Sequence, residues 1–229
     1  MPVNDGVSDF CHLAAHDLQA PLRQARHLSE CVRGFVQKEE PERARACATE
    51  LETILDKMKH LVTALLDLST TANLVTEFVT VDMARIAEAA IARNRLGMLE
   101  TGADIVIRKL PQVLGDADLL TRALAILVGN AILYVDADTR PQILIEGEAK
   151  NKIATIRIYD NGIGIPDGYH KRVFDPLIRV HSSPAHYGGL GIGLSLCQKI
   201  LRSHGGDITA SARVENGTLF TLTLPSPQK

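Results

Sequence analysis

Four short stretches carry residue types that can do chemistry together. In YDNGIGIP, residues 159–166, an aspartate closes an apolar run and Gly162 and Gly164 follow. A carboxylate at a strand end accepts a hydrogen bond from an exocyclic amine, and glycine lets backbone approach a ligand closely. Asp-Asn-Gly is also good turn chemistry, so the stretch alone does not separate a ligand loop from a plain turn. In GGLGIGL, residues 188–194, Gly189, Gly191 and Gly193 alternate with Leu190, Ile192 and Leu194 and open a helical pattern. Amides at a helix start bind phosphate. The spacing is not that of the dinucleotide fingerprint, and no GxxxxGK[ST] loop is present. In GNAILY, residues 129–134, Asn130 stands in an apolar helical context. Its carboxamide oxygen is either a Mg²⁺ ligand beside phosphates or a capped or solvated group.

The fourth stretch is HDLQAPLR, residues 16–23. His16 is the candidate nucleophile for phosphoryl transfer. Asp17 beside it can bond one ring nitrogen, fix the tautomer and absorb developing positive charge. Pro21 sits inside a helical pattern, where it costs about 3 kcal/mol or more and frees the carbonyl of Asp17. The expectation is a loosened or bent helix beside His16; a plain kink that fits the helix around its bundle is the alternative. Among the other histidines, His12 and His16 are spaced i, i+4, but no third metal ligand accompanies them. His181 and His186 read as solvated. His204, before Gly205-Gly206, reads as a helix C-terminal residue favoured by the dipole.

These residues need elements to position them. The chain has 229 residues and a net charge of −2, which gives no reason to invoke nucleic acid or an acidic membrane. No apolar run approaches the ~20 residues of a membrane span, and MPVNDGVSDF is no signal peptide. The four cysteines form no CxxC pair and are expected as reduced core thiols of a cytoplasmic protein. Residues 8–38 and 42–73 show helical apolar periodicity, with Pro41 near the second start. One stripe runs through Phe10, Leu13, Ala14, Leu22, Ala25, Leu28, Val32 and Phe35. The other runs through Leu51, Leu55, Met58, Val62, Leu65 and Ser69. An antiparallel hairpin leaves apolar surface uncovered, and a second copy covers it as a dimeric four-helix bundle; packing on the downstream domain is the alternative.

After a boundary near residues 72–77 the pattern mixes helices and strands. VDMARIAEAAIARNRL and DADLLTRALAILVGNAILYV read as helices, and IVIRKL as a strand. QILIEGEAK and KIATIRIYD form a hairpin turning at Asn151. GLSLCQKILRSHGG is a helix closed by glycine, and DITASARV and TLFTLTLP are the final strands. The pattern is that of an α+β layer structure.

In this order, HDLQAPLR, GNAILY, DNGIGIP, GGLGIGL and GTLFTLTLP (residues 217–225) resemble the H-box, N-box, two glycine boxes and terminal glycine-threonine box of sensor histidine kinase catalytic cores. HDLQAPLR and RVHSSPAHYGGLGIGL are similar to the phytochrome-associated subgroup. The resemblance covers about residues 8–226 and implies an α + α/β fold. Residues 1–73 would be a dimerisation and histidine phosphotransfer domain, and 77–229 an α/β sandwich ATP-binding domain of the gyrase and histidine-kinase type. It implies His16 and Asp17 as the catalytic pair and Asp160 as acceptor of the adenine amine. Asn130 would hold Mg²⁺. Tyr134, Gly162, Gly164, Arg179, Gly189, Gly191, Gly193 and Thr218 would line the ATP site. Residues 168–187 would form a lid anchored by Phe174.

The implied activity is ATP-dependent phosphorylation of His16, then transfer to an aspartate of a response-regulator receiver domain, by a homodimer. The signal would come from a sensor on a separate partner or on a segment removed from this chain. Departures from the family favour the alternative of a pseudokinase or phosphotransfer carrier. Ile126 stands where Asn is usual, Leu133 where Lys or Arg is common, and Leu190 where Thr is usual. Ala20 replaces the residue that positions a dephosphorylating water in many members.

Overall fold

The computed structural model describes residues 5–70, 78–176, 178–180, 191–213 and 216–227. The chain divides into two compact units, Met1–Asp67 and Leu68–Lys229. The first holds α1 (Asp5–Gln37) and α2 (Pro41–Thr70), an antiparallel pair as the periodicity predicts. Pro41 opens α2, where its missing N–H has no partner to lose. Helix α1 runs through Pro21 as one element. Ala25, Leu28 and Ile54 are buried between the helices, with Cys47, Leu51 and Met58 packed against them. The stripes do not end there: Leu22, Leu55 and Val62 remain 52%, 50% and 44% exposed. Side chains of Phe10, Leu13, Ala14, Leu65 and Ser69 lie outside the described ones. Cys31 and Cys47 are half-buried rather than core thiols, whereas Cys197 is fully enclosed and its thiol pKa is pushed up by burial.

The second unit is a five-stranded sheet with helices against it. The strands are β2 (Asp104–Ile107), β4 (Gln142–Lys150), β5 (Ile153–Asp160), β7 (Thr218–Pro225) and β6 (Asp207–Ala212), side by side in that order. β2 is parallel to β4, and the other pairs are antiparallel. The β4–β5 turn takes Asn151 and Lys152 at φ 52° and 65°, the left-handed pair that matches strand twist. Along β5 burial alternates, so the two-residue period that seats Ile156 and Ile158 in the core also turns Asp160 inward. Helix α5 (Ala117–Leu133) packs between α3 (Met83–Arg93) and α6 (Gly193–Ser203), burying Leu120, Leu124, Leu127, Ile200 and Leu201.

The sequence reading differs from the structure in two places here. The helix expected from Val81 is preceded by a strand, β1 (Val79–Asp82), paired with β3 (Gln112–Gly115). At four residues each, these strands sit at the lower limit of the alternation signal. The same helix also breaks at Asn94 into α3 and α4 (Arg95–Thr101). The Asn94 amide donates to the Ala90 and Ala125 carbonyls, both at 3.0 Å, so the break ties α3 to α5.

His204 does cap the C-terminus of α6, as expected, but its partners there are specific hydrogen bonds rather than the helix dipole alone. It is 1% exposed, its Nε2 accepts from the Asp116 N–H at 2.9 Å, and its Nδ1 donates to the Ile200 carbonyl at 2.7 Å. These partners require the neutral ring. Asp116 caps α5 through its side chain, so His204 joins the end of α6 to the start of α5. Replacing His204 with Leu strands the Asp116 amide and is expected to cost about 1–3 kcal/mol, read from urea unfolding followed by far-UV circular dichroism. A loss under about 0.5 kcal/mol, the scale of an ordinary surface change, would rule out this role.

Candidate nucleotide site

The end of β5 carries the one buried carboxylate among the described residues. Asp160 is 4% exposed. Its Oδ1 accepts from the Gly162 and Thr218 amides, each at 2.9 Å. Oδ2 receives neither. The Asp160 carbonyl accepts from Arg213 Nη1 at 2.6 Å. Burial holds the carboxyl pKa above the ordinary range; the two amides and the Arg213 charge pull it down without cancelling that rise. Asn161 stitches the loop to the start of β4. Its Oδ1 accepts from the Gln142 amide at 2.8 Å, and its Nδ2 donates to the Arg140 carbonyl at 3.0 Å.

The glycines act first on the chain itself. A Cβ on Gly162 would lie 2.3 Å from the Tyr134 carbonyl oxygen, and one on Gly217 would lie 2.0 Å from the Asp160 carbonyl oxygen. Gly217 is also left-handed, at φ 99°. Where close approach to a ligand was expected at Gly162, the close approach seen is backbone against backbone. Tyr134 contributes its carbonyl, which accepts from the Ile163 amide at 3.0 Å, and its own N–H closes α5 on the Asn130 carbonyl at 2.8 Å. Gly164, at φ 74°, lies against Gly217.

The structure therefore brings Asp160, Gly162, Gly164, Thr218 and the Tyr134 backbone into one loop cluster. Asn130 is half-buried one turn before Tyr134. Gly193 opens α6, and a Cβ there would meet Ile126 of α5 at 3.0 Å, while Gly191 is left-handed at φ 71°. Phe174 is buried within the 3-10 turn Arg172–Phe174, which packs on α6. Arg179 is exposed. Gly189, Leu190 and lid residues 181–187 lie outside the described residues, as do the side chains of His16 and Asp17. Arg213, Gly217 and Asn161 are site residues that the sequence reading did not single out. Gly217 stands directly before Thr218 and signals a forced turn; Arg213 reads as an ordinary charged residue at a strand end.

Comparison with known proteins decides what this loop belongs to. Residues 115–228 match the family described as histidine kinase-, DNA gyrase B-, and HSP90-like ATPase. Over 97% of its length the chain is 28% identical to the phytochrome-like protein Cph1 of Synechocystis, of which it spans 29%. The chain is similar to sensor histidine kinase cores. It also shares its fold with solved structures. It aligns with the Acinetobacter baumannii histidine kinase AdeS over 93% of this chain and 98% of that one, at 20% identity and a TM-score of 0.70. It aligns with the histidine kinase ThkA, solved in complex with response regulator protein TrrA, over 96% and 61%, at 19% identity and a TM-score of 0.72. The chain thus spans less than a third of the length of its phytochrome-like relative.

The raised Asp160 pKa has a consequence for the stability of the second unit. Between the unfolded and the folded pKa the native carboxyl keeps a proton that the unfolded chain has lost, so stability falls as pH rises through that window. Asp160→Asn should remove this fall; urea midpoints across a mildly acidic pH series check it, and identical slopes in the two chains would contradict it.

Proposed function

We propose that this core binds Mg²⁺–ATP, phosphorylates His16 and passes the phosphoryl group to an aspartate of a response-regulator receiver domain. The observation that carries the reading is the buried Asp160 carboxylate, with Oδ1 fixed by two amides and Oδ2 left to accept an adenine amine. In this reading Gly162, Gly164 and Thr218 shape the adenine end, and Tyr134 lines it. Gly189, Gly191, Gly193 and Arg179 serve the phosphates. Among the described residues no group of three or more His, Cys, Asp or Glu is arranged to hold a metal. The donor set therefore fits a magnesium ion carried mainly by phosphate and water oxygens, with one carboxamide ligand from Asn130. The ion would neutralise phosphate charge.

His16 attacks the γ-phosphorus through a neutral ring nitrogen. A P–N bond forms, the bond to the β-phosphate oxygen breaks, and ADP leaves. Asp17 orients the ring and stabilises its positive charge. Residues 168–187, anchored at buried Phe174, close over the phosphates and exclude water. Residues 1–73 serve as dimerisation and phosphotransfer domain, and 77–229 as catalytic domain. Exposed Leu22, Leu55 and Val62 favour a homodimer sealed by a second copy. The complex of ThkA with TrrA supports a receiver as partner. Among the described residues no helix is long and apolar enough to cross a membrane, in keeping with a cytoplasmic core.

Leu133, 38% exposed, favours a second reading as a pseudokinase or phosphotransfer carrier, because no cation at that position neutralises phosphate. Incubation with γ-labelled ATP and Mg²⁺ separates the two. The kinase gives acid-labile, alkali-stable label that is lost in His16→Ala and slow to accumulate. A carrier takes label from a phosphorylated receiver but not from ATP. Leu55→Glu should convert a dimer to monomer by light scattering, and an unchanged mass would place the hairpin face elsewhere.

A further inference from the structure

We propose that Arg213 is the positioning residue that keeps the Asp160 carboxylate charged and aimed at the adenine amine. The proposal rests on the reading of Asp160 as the adenine acceptor. Arg213 follows β6, the edge strand, and β7 separates β6 from β5. A charged side chain at such a strand end ordinarily runs into water. This one crosses β7 instead. Its Nη1 donates to the Asp160 carbonyl at 2.6 Å, and its guanidinium carbon lies 5.7 Å from the centroid of the Tyr159 ring. Its backbone N–H donates to the Gly217 carbonyl at 3.2 Å, closing the β6–β7 turn from which it reaches. Gly217 makes the reach possible, since a side chain there would occupy the space against the Asp160 carbonyl.

The terminal hairpin thus grips Asp160 twice. The Thr218 amide holds Oδ1, and Arg213 holds the main-chain oxygen. The first grip sets the rotation of the carboxylate. The second sets the path of the backbone that carries it and places a positive charge beside a desolvated acid. Among the described residues, the other groups seen beside that acid are neutral: Gly162 and Thr218 by their amides, Ile143 across the β4–β5 ladder, and the Tyr134 carbonyl at the end of α5, which meets Gly162. Among the causes that favour the ionised form, Arg213 is the one full charge. An ionised carboxylate accepts from an amine with both lone pairs of Oδ2, whereas a protonated one can turn a hydrogen toward it. Arg213 therefore sets selectivity for a purine bearing a 6-amino group, and the pH at which that selectivity fails.

The test uses the full 229-residue chain, with ADP and the diphosphate of purine riboside, which lacks the 6-amino group, titrated calorimetrically over a pH series. Wild type should prefer ADP and lose the preference as pH falls. Arg213→Met should weaken ADP about tenfold at neutral pH, leave the purine analogue unchanged and move the acid limb of ADP binding to higher pH. Arg213→Lys should restore both. Arg213→Gln, which keeps a donor without charge, should restore neutral-pH affinity better than the position of the acid limb, and it serves if the Met variant does not fold. The proposal is overturned if Arg213→Met weakens both nucleotides alike or leaves the acid limb in place while wild type still discriminates. A wild-type chain that binds both equally removes the reading of Asp160 itself, and the proposal with it.

Discussion

A carboxylate taken out of water must be compensated, and the second unit is organised around how Asp160 is. Burial of an acid costs several kcal/mol unless hydrogen bonds and opposite charge offset it. Here two amides and one guanidinium do so, yet burial still dominates the pKa. The incomplete offset is informative. A carboxylate kept purely for stability would be saturated with donors. Both amide donors reach the same oxygen, which leaves the other side of the group for an incoming one. The cost in stability is consistent with an acceptor prepared in advance of its ligand.

That preparation needs three chain segments closer together than side chains allow. Gly162 admits the Tyr134 carbonyl, and Gly217 admits the Asp160 carbonyl. In the proposed reading the glycines thus serve the nucleotide at one remove. They let the end of β5, the end of α5 and the start of β7 meet, and that meeting sets the acceptor. Asn161 adds the start of β4 to the same junction through two side-chain hydrogen bonds. Four elements converge on a few residues, so a change in any of them reaches the carboxylate.

Long periodic elements were legible from the residues alone. The hairpin helices, α5, and the β4–β5 pair with its Asn151 turn all follow from spacing and turn chemistry. The loop at Asp160, Gly162 and Gly164 was legible as a turn closing an apolar strand, because Asp-Asn-Gly is turn chemistry; its use for a ligand was not separable from that turn by these residues alone. What was not legible depends on contacts distant in sequence. β1 and β3 are each four residues long and exist because they pair with each other. The break at Asn94 depends on the Ala125 carbonyl, 31 positions away. His204 became a neutral core residue because Asp116, 88 positions earlier, offers it an amide. Arg213 joined the site across an intervening strand. In each case local preference left the outcome open and a tertiary partner decided it.

The same long-range ties bear on the unusual residues of the N-box. Helix α5 is held at its start by His204 on Asp116, in its middle by Asn94 on Ala125, and at its end by Ile163 on Tyr134. Gly129 packs against the Asn94 side chain, which further fixes the rotation of the helix. None of these ties involves the side chains of Ile126 or Leu133. The position of Asn130 is thus set by polar anchors and core packing that do not depend on whether residue 133 is a cation. Under the proposed function, substitution at 133 would alter the charge near bound phosphate while leaving the helix where it is. A chain of this design can lose transition-state neutralisation without losing the fold of its nucleotide cleft, and a kinase and a carrier can then differ in rate while sharing one scaffold.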